Sequence, residues 1–118
     1  MLVVAPYHED TAHLVTLLEN YTDSINITHS ATEAMHHALI MPFNLAFIDM
    51  TIDDMGGIEL TTLLKSNPKT EHIDIILFTN PLPPEAKQDE EYEGYRAGAT
   101  HYLTKPVEKT HLEQIFCI

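Results

Sequence analysis

Short apolar runs that each stop on a polar residue or proline, separated by stretches with helical spacing, constrain this chain more than any other feature. Leu2-Val3-Val4-Ala5 ends at Pro6, and so brief and uniform a run suits a strand buried on both faces. From Glu9 to Asn20, the residues Ala12, Leu14, Val15, Leu17 and Leu18 fall at helical spacing, with Glu9 and Asp10 where a helix N-terminus favours acids. Ile25-Asn26-Ile27-Thr28 alternates as a strand does, and Ser30 or Thr32 can cap a helix through about Leu39. Leu45-Ala46-Phe47-Ile48 stops at Asp49 before the turn-rich Asp53-Asp54-Met55-Gly56-Gly57. Ile58, Leu60, Leu63 and Leu64 give the next helix, closed by Asn67-Pro68. Ile73 through Phe78 is a fourth strand ending at Thr79. Pro81, Pro83 and Pro84 stiffen the following loop, an acidic helix runs from about Glu85 to Ala97, and Thr100-His101-Tyr102-Leu103 is a fifth strand ending near Lys105-Pro106. A last helix spans about Val107 to Phe116.

Strands alternating with helices predict a parallel α/β sheet with helices on both faces, because parallel strands need crossover connections. Ligands of such folds sit beyond the carboxyl ends of the strands, at the switch point of the strand order. Asp49, Thr79 and Lys105 all end strands, so an acid, a hydroxyl and an amine are expected to converge there. That set suits phosphoryl chemistry.

The chain has 118 residues, 44% of them hydrophobic, which is enough for one core and too little for two. We therefore read residues 1–118 as a single domain. It begins almost on its first strand and ends within its last helix, which suggests a piece excised from a larger protein. Six Lys and Arg against 18 Asp and Glu leave a formal charge of -12. That charge argues against direct contact with nucleic acid or an anionic membrane. Cys117 is the sole cysteine, so no internal disulfide or cysteine metal cluster can form, and a reducing cytoplasm is expected. No apolar run approaches ~20 residues, so no membrane span is expected. The eight histidines, His8, His13, His29, His36, His37, His72, His101 and His111, lack zinc-like spacing and read as surface residues.

Three segments resemble the receiver domain of response regulators and hybrid histidine kinases. Asn44 to Met50 followed by Met55-Gly56-Gly57-Ile58-Glu59-Leu60 is similar to that family's phosphoacceptor strand and turn. Asn67-Pro68 through His72-Ile73-Asp74-Ile75-Ile76 is similar to its lead into the fourth strand. Ala97-Gly98-Ala99-Thr100-His101-Tyr102-Leu103-Thr104-Lys105-Pro106 resembles its closing signature nearly residue for residue. The resemblance covers essentially the whole chain. It implies a flavodoxin-like doubly wound five-stranded sheet of order 2-1-3-4-5, and a non-enzymatic module of two-component signal transduction. Asp49 would be the phosphoacceptor, Lys105 its fixed cation, Thr79 the hydroxyl donor, Tyr102 the aromatic switch, and the Lys105–Pro106 bond cis. The implied partners are a histidine kinase or phosphotransfer protein and an output domain or partner protein, with a homodimer left open.

One departure concerns Mg²⁺. The family places two acids directly after the first strand, and here Ala5 and Pro6 stand in their place. Asp49 and the Thr51 backbone carbonyl are the remaining expected ligands, so Mg²⁺ binding should be weak. Glu9 or Asp10 could reach in, although both read first as helix-start acids; Asp53 and Asp54 read first as solvated turn residues and second as metal-site substitutes. Another departure is a stretch between Thr79 and Ala97 about four residues longer than the family spacing, whose acids Glu85, Asp89, Glu90, Glu91 and Glu93 read as a solvated face. Lys105 is expected to pair with Asp49, and its loss to change stability only modestly. The alternative reading is a pseudo-receiver, a phosphorylation-independent interaction module. A small flavodoxin-like nucleotide-binding enzyme is disfavoured because no glycine-rich loop follows the first strand.

Overall fold

In the computed structural model, which describes residues 1–6 and 9–116 and leaves the side chains of Glu9 and Asp10 undescribed, the apolar runs form the strands of one parallel sheet. These are β1 (Leu2–Val4), β2 (Asn26–Thr28), β3 (Leu45–Asp49), β4 (Asp74–Thr79) and β5 (His101–Thr104). Their order is β2-β1-β3-β4-β5, so the direction of winding reverses beside β1 and the cleft opens there, past β1 and β3. Helices α1 (Glu9–Leu18), α2 (Ala31–Ile40), α3 (Gly57–Ser66), α4 (Pro84–Ala97) and α5 (Lys109–Ile115) make the crossovers and the closing element.

Strand side chains alternate between faces, so the central runs are apolar on both. Val3, Phe47, Ile76 and Phe78 pack with Leu14 and Leu18 of α1 and Leu112 of α5. Leu2, Val4, Ala46, Ile48, Ile75 and Leu77 face the other way, onto Ala31, Ala34 and Ala38 of α2 and Leu60 and Leu64 of α3. Gly94 lets α4 lie close to this face, because a Cβ there would come within 2.9 Å of Leu77 Cδ1. Gly98 ends α4 in the left-handed region at φ 116, where a side chain would be strained.

The start of the closing helix differs from expectation. The closing helix starts at Lys109 rather than Val107, because Glu108 forms a capping box with His111, whose Nδ1 accepts the Glu108 N–H at 3.0 Å. The Lys105–Pro106 bond ahead of it is cis, as the resemblance implies. At α2, Ser30 is the N-cap and accepts the Glu33 N–H at 3.1 Å.

Thr32 instead meets Asp54, which is exposed, as expected of a turn acid, and also bonds the start of α2. Asp54 Oδ1 accepts the Ala31 N–H at 2.8 Å, and its Oδ2 accepts the Thr32 N–H at 3.0 Å and the Thr32 hydroxyl at 2.9 Å. The β3–α3 loop is thereby tied to the free amides that start α2. The Ala31 amide, then the Thr32 amide, holds the Asp54 carboxyl below its ordinary value of 3.8. A depressed carboxyl pKa contributes stability above the unfolded value that is lost as pH falls through the folded value. Asp54→Ala is therefore expected to speed amide exchange at Ala31 and Thr32 at neutral pH. Its difference in unfolding free energy from the parent should shrink as pH falls below 3.8. A difference that stays constant down to the acid transition would mean that the carboxylate charge plays no part.

Candidate functional site

Asp49, Thr79 and Lys105 meet at the carboxyl edge because the register brings their strand ends level. Asp49 is paired with Phe78, so Thr79 lies one step beyond it on the neighbouring strand. The Lys105 N–H donates to the Thr79 carbonyl at 2.7 Å, continuing the β4–β5 ladder to the lysine. Lys105 Nζ lies 2.7 Å from Asp49 Oδ2, with Asp49 1% and Lys105 9% exposed. The ammonium also sits 5.5 Å from the centroid of the Phe78 ring.

The other carboxylate oxygen is held locally. Asp49 Oδ1 accepts the Thr51 N–H at 2.8 Å and the Thr51 hydroxyl at 2.7 Å. Thr51 was expected to act through its carbonyl, and its hydroxyl was missed. The signal was available, since an aspartate hydrogen-bonding two residues ahead is a common turn device. Thr79 is 3% exposed, and its hydroxyl has no hydrogen-bond partner among the described residues. An ionised carboxylate, a fixed ammonium and an uncommitted hydroxyl thus share one corner. Such an arrangement can present a nucleophilic oxygen while offering a cation and a donor to a tetrahedral oxyanion.

Tyr102 lies on β5 with its ring packed into the core at 7% exposure. Its hydroxyl donates to Glu90 Oε1 at 2.7 Å, so Glu90 is not part of a purely solvated face. Burial first, then the hydrogen bond and charge of Glu90, push the tyrosine pKa well above its ordinary value. Asp53 is exposed, as expected of a turn acid.

The described residues do not fit a resident Mg²⁺, which wants several oxygen donors in octahedral order. Ala5 and Pro6 bring no carboxylate to the end of β1. The Ala5 carbonyl already meets His29 Nδ1 at 2.8 Å, and the Pro6 carbonyl accepts the Thr11 hydroxyl at 2.9 Å. Both Asp49 oxygens are engaged, and no group of three His, Cys, Asp or Glu suited to a metal occurs among the described residues. The side chains of Glu9 and Asp10 lie outside the described residues, as do His8 and Cys117. His29 and His72 are more than surface residues, because their rings bond the Ala5 and Phe43 carbonyls across the fold. No helix among the described residues is long and apolar enough to cross a membrane.

Comparison with known proteins agrees with this fold. A family model described as the response regulator receiver domain matches residues 5–116. A probable cyclic di-GMP phosphodiesterase of Vibrio cholerae serotype O1 is 34% identical over 83 residues, which is 70% of this chain and 18% of that protein. The signal transduction histidine-protein kinase BarA of Escherichia coli (strain K12) is 31% identical over 99 residues, 84% of this chain and 10% of that protein. The chain thus spans under a fifth of the length of either relative. The solved signal receiver domain of a DNA binding response regulator protein from Colwellia psychrerythraea 34H superposes with a TM-score of 0.85 at 24% identity, covering 98% of this chain and 93% of that one.

Proposed function

This chain belongs to the response regulator receiver domain family, and we propose that Asp49 is the residue through which it accepts a phosphoryl group from a histidine kinase or phosphotransfer protein. The supporting observation is the buried Asp49–Lys105 pair at 2.7 Å, set at the strand ends where this fold binds ligands. A carboxylate oxygen of Asp49 attacks the donor phosphorus, forming an acyl phosphate. The bond from phosphorus to the leaving group breaks, and that group keeps the electron pair and takes a proton. Lys105 and the Thr79 hydroxyl face the charge that spreads over the phosphoryl oxygens. Hydrolysis later returns the carboxylate and inorganic phosphate.

Movement of Thr79 toward the new phosphoryl group changes the packing beside Tyr102, which Glu90 ties to α4. We therefore assign the acidic α4 surface as the face that presents the changed state to an output domain or partner protein. This is a signalling role and not turnover of a substrate, and its setting is the cytoplasm. The phosphorylation-independent alternative is not favoured, because acceptor, hydroxyl and lysine are all retained. Incubation with acetyl phosphate, read by intact mass, should give one added phosphoryl group that hydroxylamine removes, as an acyl phosphate requires. A chain that stays unmodified, or a hydroxylamine-resistant adduct, sinks this reading.

Receivers hold Mg²⁺ at an acidic pair, and with Ala5 and Pro6 at those positions we propose that this chain binds it weakly. Ala5→Asp combined with Pro6→Asp should tighten binding on the order of tenfold, about 1.4 kcal/mol, in a calorimetric titration. If the natural chain already binds as tightly as the double variant, a ligand such as Glu9 or Asp10 supplies the missing carboxylate.

A further inference from the structure

Two buried side-chain polar atoms lack a hydrogen-bond partner among the described residues, His37 Nδ1 and Thr104 Oγ1. His37 lies on α2. Thr104, by contrast, is the last residue of β5, next to Lys105, and is paired in register with Thr79. Alternation along the strands puts Thr79 on the face of Leu77 and Thr104 on the face of Tyr102, and these two belong to the same core layer. Paired residues on adjacent strands stand about 4.8 Å apart. The buried Thr104 hydroxyl and the Thr79 hydroxyl, neither with a partner among the described residues, are therefore neighbours at the carboxyl edge.

A buried hydroxyl without a partner is destabilising, and valine has nearly the same shape without that penalty. A threonine at this position therefore calls for a state in which its hydroxyl is used. We infer that Thr104 is a positioning residue whose O–H donates to Thr79 Oγ1 once Asp49 carries a phosphoryl group. The Thr79 proton is then aimed at a phosphoryl oxygen, and each hydroxyl gains a partner. A chain of two hydroxyl bonds polarises its terminal donor, so Thr79 becomes a better donor than it is alone. The inference rests on the reading of Asp49 as acceptor.

Thr104→Val, Thr104→Ser and the parent chain test it in two measurements, urea unfolding and the rate of phosphoryl uptake from acetyl phosphate followed by intact mass. Thr104→Val should unfold at higher urea than the parent yet take up the phosphoryl group about fivefold more slowly, the worth of roughly one neutral hydrogen bond. Thr104→Ser should keep the parent uptake rate. In a Thr79→Ala background, adding Thr104→Val should change uptake no further. Parent-like uptake by Thr104→Val, equal slowing by serine and valine, or a lower urea midpoint for valine each overturns the relay. A parent chain that gains no phosphoryl group refutes Asp49 as acceptor itself, and the relay with it.

Discussion

Lys105→Met lowers the free energy of unfolding by about 3–5 kcal/mol, because it strips the cation from a buried carboxylate. Asp49 is 1% exposed and the lysine 9%, with 2.7 Å between Nζ and Oδ2. Methionine replaces the lysine stem in volume and leaves Oδ2 facing an apolar side chain. Oδ1 keeps its two bonds from Thr51, which holds the loss toward the lower end of the range. The modest change expected from the sequence assumed that relief of lysine desolvation offsets the lost attraction. That relief is outweighed when one charge of a buried pair stays behind. Asp49→Asn with Lys105→Met removes both charges at similar shape and should recover most of the loss. Urea unfolding of the parent, both single variants and the double variant closes the cycle. A single Lys105→Met variant within about 0.5 kcal/mol of the parent, the range of ordinary surface changes, would show that the pair is solvated in practice.

What could be read from the sequence was whatever lies local to a strand end. Leu45 to Ile48 runs into Asp49, Ile75 to Phe78 into Thr79, and the β5 segment into Lys105. Once parallel pairing is accepted, these residues have to meet at one edge. Partners set by tertiary approach were not legible. Asp54 reaches amides 22 and 23 residues earlier in the chain, and nothing in its neighbours distinguishes it from exposed Asp53. Glu90 looks like any other acid of α4 until the helix is laid on β5, where it meets the Tyr102 hydroxyl. Thr104 gains meaning only from the pairing that aligns it with Thr79.

Asp49→Asn abolishes formation of the acyl phosphate, the largest functional change expected of any single substitution here. The amide keeps the size and polarity of the carboxylate but has neither the charge nor the lone-pair basicity to attack phosphorus. The neighbouring acids do not replace it. Asp54 is bound to the start of α2 through both oxygens. Asp53 is exposed in the loop beyond, with no ammonium among its described contacts to steady the charge on a transferring group. A strong loss therefore follows from geometry rather than from the number of acids nearby. Intact mass after acetyl phosphate treatment, with peptide mapping of any remaining adduct, provides the measurement. Asp53→Asn, the matched control, should keep the parent extent of modification. If Asp49→Asn still gains a hydroxylamine-sensitive phosphoryl group, another carboxylate is the acceptor, and the buried pair with Lys105 is structural.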